Sequence, residues 1–125
     1  MKRLYLQLLS LLMLASSSHA GWVEIGQSDE GTFYIDPVTI VQAGSSRLVW
    51  ELTDLKEHDE DSELSRRSRV AYDCKHGLTR VLSLETYREP MAMGKTIFSV
   101  ERDGLWKEVP ASTAYETGFK TVCAN

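Results

Sequence analysis

The residues best suited to chemistry lie together in the segment AYDCKHG, residues 71–77. Cys74 stands two positions before His76, and Asp73 precedes the cysteine. Residues two apart on a strand share a face, so a thiol and an imidazole could meet there as nucleophile and base. That chemistry requires a free thiolate. A metal site and one half of a disulfide are the alternatives, and the remaining sequence has to decide among the three.

The first twenty residues have the pattern of a secretory signal peptide. Two basic residues at positions 2 and 3 precede an uncharged apolar run, residues 4–15, and small residues precede Gly21. The run is too short for a transmembrane helix, which needs roughly 20 residues. We therefore expect residues 1–20 to be removed on export. The mature chain would begin at Gly21 rather than at a cysteine, so no lipid anchor is expected.

Composition limits the classes of partner. The chain of 125 residues has a formal net charge of −4, and removal of the predicted leader would leave −6. An acidic chain without a basic block is a poor candidate for binding nucleic acid. No later apolar run is long enough to span a membrane. Residues 21–125 suffice for a single domain with one core.

The cysteine count favours a disulfide at the opening segment. The mature chain has two cysteines, Cys74 and Cys123, and an even pair in an exported chain is usually oxidised. Cysteine pairing would remove the nucleophile, so we expect no enzymatic activity. The two cysteines with His76 are too few for a metal site of known spacing. We expect no metal and no cofactor.

The segment of residues 56–69 is almost wholly polar, with an acidic half followed by a basic half. This pattern predicts a mobile surface loop between two strands. Its acidic half could hold calcium only weakly, because it lacks the glycine and the ligand periodicity of a calcium loop. A solvated loop is the favoured interpretation. The residues concerned are His58, Asp59, Glu60, Asp61 and Glu63.

Period-two alternation between turn signals predicts an antiparallel sheet with one buried face. The strand-like runs are residues 22–25, 32–35, 38–41, 47–55, 68–74, 79–87 and 96–102. The side chains expected on the buried face are Leu48, Trp50, Val70, Tyr72, Leu82, Leu84, Phe98 and Val100. Trp22, Trp50 and Trp106 are expected in core or subunit contacts rather than stacked on a ligand.

After Pro110 the period changes to that of a helix. Tyr115, Phe119, Val122 and Cys123 recur at helical spacing and form one apolar face. Gly118 costs a helix about 1 kcal/mol relative to alanine, so tertiary support is needed. Cys74 shares a strand face with Tyr72, and a bond to Cys123 would hold the helix on the sheet. The predicted fold is therefore α+β: one antiparallel sheet of about six strands, with a C-terminal helix tethered to one face by a disulfide.

The opposite face of this predicted sheet carries three apolar residues, Val49, Val81 and Ile97, among charged side chains. An apolar strip shared by several strands would be unfavourable in water unless a partner covered it. Because two-fold dimers are the commonest soluble assembly, we expect a homodimer or a ligand contact through this interaction face.

The order of several segments resembles that of the surface-adhesin protein E family of Gram-negative bacteria. These segments are WVEI, GTFYID, RLVWELTDL, VAYDC, MGK, LWKEVPAST and the terminal VC, and they span essentially the whole mature chain. The resemblance implies a six-stranded antiparallel sheet with a disulfide-held C-terminal helix. It also implies surface attachment to host extracellular-matrix or serum proteins. The founding member is lipid-anchored and this chain lacks the cysteine for that. No ligand-binding stretch matches, so no ligand residue is carried over.

The resulting expectation is an exported, non-enzymatic protein that binds a protein partner. It would lie in the periplasm, on the cell surface or outside the cell. The alternative is a periplasmic envelope protein that acts as an assembly or stress-response partner.

Overall fold

The computed structural model of the protein describes residues 21–57, 62–102 and 104–124. The predicted signal peptide and most of the acidic cluster lie outside the described residues. The described chain forms one sheet, one α-helix and one 3₁₀ turn. The strands are β1 (Val23–Gln27), β2 (Gly31–Ala43), β3 (Ser46–Leu55), β4 (Ser65–Asp73), β5 (Leu78–Tyr87), β6 (Thr96–Glu101) and β7 (Lys107–Glu108). The 3₁₀ turn is Pro90–Ala92 and the helix is α1 (Ala114–Val122).

Every strand pair is antiparallel, and β1 to β6 follow one another across the sheet in chain order. The short β7 pairs with the start of β5. Gly44 and Gly77 take positive φ angles of 61° and 67° in the turns that lead into β3 and β5. Glycine adopts this backbone conformation without strain, which permits the chain to reverse there. The predicted α+β fold, with its antiparallel sheet and single C-terminal helix, is confirmed.

The main core lies between one face of the sheet and α1. Its fully buried members come from three strands, β2 to β4, and from the helix: Ile35, Val49, Val70, Tyr72 and Val122. Cross-strand partners share a face, and Val49 lies opposite Val70, which lies opposite Val81. The strands between β2 and β5 therefore supply one continuous apolar surface for the helix.

The opposite face of the sheet is closed in part by the 3₁₀ turn. The backbone N–H of Met91 donates to Asp54 Oδ1 at 3.0 Å, and that of Ala92 donates to Ser65 Oγ at 2.9 Å. Leu52 and Tyr87 are buried on this face, at 1% and 7% exposure. The sheet is therefore covered on both sides at this end.

Strand β3 presents the face opposite to the predicted one. Leu48 and Trp50 pair with Ala71 and Arg69 on the side away from α1, whereas Val49 is 1% exposed in the main core. The predicted alternation along β3 is confirmed, but the face predicted to pack under α1 was wrong. Both faces of β3 accommodate large apolar side chains, so the pattern does not reveal which one faces the helix. Val49 is consequently no surface residue, and the predicted strip of Val49, Val81 and Ile97 does not exist.

Two further predictions about the chain path were wrong. Residues 65–69 belong to β4 and are not part of a loop. The Asp36–Pro37 step does not end a strand, because β2 continues through an irregularity between Asp36 and Val41. Thr39 bridges that irregularity: its Oγ1 donates to Asp36 O at 2.7 Å and accepts from the Trp50 N–H at 3.0 Å.

Helix α1 comes very close to the sheet where both elements have glycine. A Cβ built on Gly118 would lie 3.2 Å from Ile25 Cδ1 and 3.3 Å from the Tyr72 hydroxyl oxygen. One built on Gly26 would lie 2.9 Å from Ala114 Cβ. Gly118 therefore costs helix propensity but permits this close packing. Among the residues described, no helix is long and apolar enough to cross a membrane.

Candidate functional site

The segment AYDCKHG, residues 71–77, has a structural role rather than a catalytic one. Cys74 forms a disulfide with Cys123, with an S–S distance of 2.07 Å, so the predicted bond is confirmed and no free thiol is left for catalysis. The Asp73 carboxylate accepts hydrogen bonds from the backbone N–H groups of Lys75 and His76, both at 3.1 Å. Its second oxygen lies 2.9 Å from His76 Nδ1. These residues shape the turn between β4 and β5.

The disulfide is one of two attachments at the end of α1. The Arg47 guanidinium donates to the carbonyl oxygens of Val122 and Ala124, at 2.8 and 2.6 Å. These carbonyls belong to the last turn, where helical backbone acceptors have no partner within the helix. A cation at this end also complements the helix dipole. The C-terminal end of α1 is thus held to β3 by hydrogen bonds and to the end of β4 by a covalent bond.

A polar pair lies within the interface between the sheet and α1. The Tyr72 hydroxyl donates to Glu51 Oε1. Tyr72 is 1% exposed and packs against Phe119 with a ring-centroid distance of 6.1 Å. Burial raises the pKa of Glu51 to about 7, although the hydrogen bond from Tyr72 opposes this shift. Burial, reinforced by the charge of Glu51, raises the pKa of Tyr72. Glu51 also lines a small cavity of about 100 Å³. We assign the pair to the helix contact.

An open cleft of about 650 Å³ lies beside β5. It is bounded by the start of β5, by the chain that runs from β6 to α1, and by the first turn of α1. The lining residues are Thr79, Arg80, Val81, Arg102, Gly104, Leu105, Lys107, Glu108, Pro110 and Tyr115. We call this surface the β5 cleft.

The outer wall of the β5 cleft is held to β5 by backbone hydrogen bonds. Arg102 N–H donates to Leu82 O at 2.7 Å, and Gly104 N–H donates to Val81 O at 3.2 Å. Beyond β7, Val109 N–H donates to Gly77 O at 3.2 Å. A Cβ on Gly104 would lie only 2.8 Å from Val81 O, so only glycine allows this approach. The described backbone of this wall is therefore anchored to β5 at both ends.

Apolar side chains in the β5 cleft are unusually open to water. Leu105 is 80% exposed, Tyr115 is 42% exposed and Val81 is 36% exposed. The Tyr115 ring packs against the Phe33 ring, with a ring-centroid distance of 5.7 Å. A leucine exposed to this degree beside an aromatic ring is an apolar surface that a bound partner could cover.

The charged residues of the β5 cleft are mainly cationic. Arg80, Arg102 and Lys107 line it, against the single carboxylate of Glu108. The Arg80 guanidinium stacks over the Trp106 ring at 4.8 Å, and its Nε is buried without a hydrogen-bond partner in the part of the chain described. Arg102 and Lys107 have no ion pair among the described side chains. The cleft of this net acidic protein is therefore lined by more cations than carboxylates.

Sequence reasoning found only one residue of this cleft. Val81 was predicted as part of an interaction face and does line the cleft, whereas Val49 is in the core and Ile97 lies on β6 outside the lining. Six of the nine missed residues lie in the segment RDGLWKEVP, residues 102–110, and the other three are Thr79, Arg80 and Tyr115. The signal in that segment was a leucine and a tryptophan next to charged residues in a run too short for a strand with a buried face.

Comparisons with known proteins agree with this architecture. The family model described as surface-adhesin protein E matches residues 22–124. The crystal structure of protein E from non-typeable Haemophilus influenzae is similar with a TM-score of 0.67 and 13% identity, over 88% of this chain and 80% of that chain. A second crystal form of Haemophilus influenzae protein E is similar with a TM-score of 0.65 and 13% identity, over 84% and 88% of the two chains. No curated protein sequence matches. The structural likeness shows a shared fold, and the family match over residues 22–124 shows that the chain belongs to the surface-adhesin protein E family.

Proposed function

We propose that this protein is an exported attachment protein that binds a host extracellular-matrix or serum protein, without enzymatic activity. Membership of the surface-adhesin protein E family supports a surface adhesin, at the cell surface or exported. The observation that carries the proposal is the β5 cleft, since it offers exposed apolar and cationic side chains to a partner. Export would require removal of the predicted signal peptide before Gly21.

The chemistry of the cleft favours binding over catalysis. Its lining supplies cations, apolar groups and one carboxylate, but neither a cysteine nor a histidine. The one thiol pair of the mature chain is consumed in the Cys74–Cys123 disulfide. Interfaces that bind proteins are typically built from exposed aromatic, aliphatic and arginine side chains of this kind. A surface of this kind suits recognition of a partner.

The experiment uses the mature chain, residues 21–125, as a soluble protein. It is titrated over immobilised basement-membrane extract and over immobilised serum proteins, with binding read by surface plasmon resonance. We expect saturable binding to at least one preparation. An exported protein of similar size and net charge serves as the control. Absence of saturable binding to both preparations would contradict the proposal.

Location provides an independent test. We expect protease added to intact cells to remove the protein, and N-terminal sequencing to begin at Gly21. A protein retained wholly in the periplasm would favour the alternative role as an assembly or stress-response partner.

A further inference from the structure

The size and the position of the β5 cleft suit a peptide segment. Its volume of about 650 Å³ lies within the usual range for binding sites, roughly 300 to 1,000 Å³. One side is formed by the start of β5 and the segment that follows β6, the other by the first turn of α1, and the cleft is open at the surface. A short stretch of a partner chain can enter such a space without unfolding either protein.

The apolar part of the lining calls for an apolar group in the ligand. Leu105, Val81 and Tyr115 are all substantially exposed around the same cleft. Burial of a leucine-sized side chain strengthens binding roughly ten- to a hundredfold, so one such anchor is a large share of a weak peptide affinity. A purely ionic ligand would leave these side chains in water.

The charged part of the lining calls for negative charge. Three cations and one carboxylate line the cleft, and Arg102 and Lys107 lack ion-pair partners within the described residues. Arg80 also lines the cleft, and its guanidinium stacks over the Trp106 ring at 4.8 Å. Hydrogen bonds between such cations and carboxylates are stronger than those between neutral groups. The surrounding protein is net acidic, so this local excess of positive charge would distinguish acidic segments from others.

We propose that the β5 cleft binds an acidic peptide segment of a protein partner, one that also carries a leucine-like or aromatic side chain. This inference rests on the proposed attachment function and specifies the chemistry that the partner presents. The apolar side chain packs against Leu105 and Tyr115, while carboxylates accept hydrogen bonds from Arg102 and Lys107. The combined apolar and ionic lining favours a peptide over a polysaccharide or nucleic acid, because those polyanions supply little aliphatic surface.

The test measures fluorescence anisotropy of labelled octapeptides mixed with the mature chain. The probe alternates leucine with glutamate, and two matched peptides alternate serine with glutamate or leucine with lysine. We expect the leucine–glutamate peptide to bind at least about tenfold more tightly than either matched peptide. Its affinity should fall as salt is added. Equal binding of all three peptides, or no binding of the leucine–glutamate peptide, would overturn the proposal.

Variants locate the binding. Arg102→Glu with Lys107→Glu should weaken the leucine–glutamate peptide at least about tenfold, and Leu105→Ser should weaken it by a similar factor. The matched control is Lys56→Glu with Lys95→Glu, which makes the same change in charge outside the cleft and should alter affinity less than about twofold. Circular dichroism and thermal unfolding verify that each variant remains folded. A control pair that weakens binding as much as the cleft pair would place the effect outside the cleft.

The same variants separate this inference from the function on which it rests. If the wild-type protein binds matrix or serum proteins and the cleft variants bind them equally well, the inference is wrong and the attachment function stands. If the peptide binds the cleft but the protein binds no matrix or serum preparation, the attachment function is wrong and the peptide specificity stands.

Discussion

One face of the sheet is closed by α1, and the other carries arginine side chains stacked on aromatic rings. The face under α1 has fully buried apolar residues, a disulfide and the hydrogen bonds from Arg47. On the opposite face the Arg67 guanidinium lies 4.5 Å from the Trp50 ring and 5.9 Å from the Tyr87 ring. Arg69 lies 5.8 Å from Trp50. The same strands thus face a dry interface on one side and partly exposed cation–π contacts on the other.

This difference indicates where the stability of the domain resides. Apolar burial and covalent closure contribute several kcal/mol each, whereas an exposed cation–π contact or ion pair contributes about 1 kcal/mol or less. We therefore expect changes to the helix side to lower the free energy of unfolding more than changes to the arginine side. The following predictions test that expectation, starting with the largest effect.

Replacement of both Cys74 and Cys123 by serine should lower the free energy of unfolding by about 4 kcal/mol. The two cysteines are 49 residues apart, and closing a loop of that length restricts the unfolded chain by about this amount. Urea unfolding followed by tryptophan fluorescence measures the change. Wild-type protein kept in reductant should show the same loss. A variant that unfolds at the wild-type urea concentration would place the stability elsewhere.

The disulfide and the helix could be predicted from the sequence, but the side of β3 could not. The pairing of Cys74 and Cys123 could be predicted because they are two in number, export was predicted, and they lie on a strand face and a helix face. In β3, by contrast, Val49 and Leu52 are both 1% exposed although they lie on opposite faces. Alternation of apolar and polar residues identifies the buried face of a strand only where the other face is exposed to solvent. The 3₁₀ turn removes that distinction, since it buries Leu52 on the side away from α1.

The β5 cleft could not be predicted for a different physical reason. Its wall depends on the segment after β6 returning to the edge of β5, and the two-residue β7 is too short to show a period. Gly104 is a turn-forming residue type, but its close approach to Val81 O depends on the tertiary structure and cannot be read from the sequence. Exposed residues such as Leu105 carry no periodic signal at all. Sequence patterns therefore located the core elements and missed the surface that those elements create.

Glu51→Gln should remove a pH dependence that belongs to the helix side. The pKa of Glu51 rises from its ordinary value to about 7 on burial, so its ionisation opposes folding. Wild-type stability should fall as pH rises from about 4.5 to 7, by up to about 3 kcal/mol, and level off above that window. The neighbouring phenols of Tyr72 and Tyr115 have raised pKa values and do not titrate there.

The amide in Glu51→Gln can still accept a hydrogen bond from Tyr72, so its effect isolates the charge. Urea unfolding at pH 5 and pH 8 should give the variant nearly wild-type stability at pH 5 and greater stability at pH 8. Glu24→Gln, an exposed change on β1, is the matched control. Parallel pH profiles for wild-type protein and Glu51→Gln would disprove the assignment.

Gly118→Leu should lower the free energy of unfolding by about 2 kcal/mol. A leucine favours the helix, but its side chain would extend into Ile25 and Tyr72, whose atoms lie only 3.2 and 3.3 Å from a Cβ at this position. Thr117→Leu makes the same type of change on the exposed neighbouring position and should alter stability by less than about 0.5 kcal/mol. Thermal unfolding by circular dichroism compares the two. Equal stabilities would mean that α1 can move away from the sheet at little cost.

The smallest effect is expected on the arginine side. Arg67→Met retains the aliphatic stem of the side chain but removes its contacts with Trp50 and Tyr87 and its ion pair with Glu85, at 2.7 Å. Burial raises the pKa of Glu85, but hydrogen bonds from Tyr87 and Arg67 outweigh it and the net shift is downward, which indicates that the carboxylate is stabilised. Because both side chains are partly exposed, we expect a loss of only about 1 kcal/mol.

Arg69→Met is the matched change for Arg67→Met, since the Arg69 guanidinium contacts Trp50 at 5.8 Å and has no ion pair among the described residues. It should cost less than about 0.5 kcal/mol. Urea unfolding at low salt and at about 1 M salt separates the two contributions: the difference between the variants should shrink as salt screens the Arg67–Glu85 pair. A loss from Arg67→Met as large as that from breaking the disulfide would overturn the contrast between the two faces, because it would mean that the stacked arginines support the fold as strongly as the covalently closed core does.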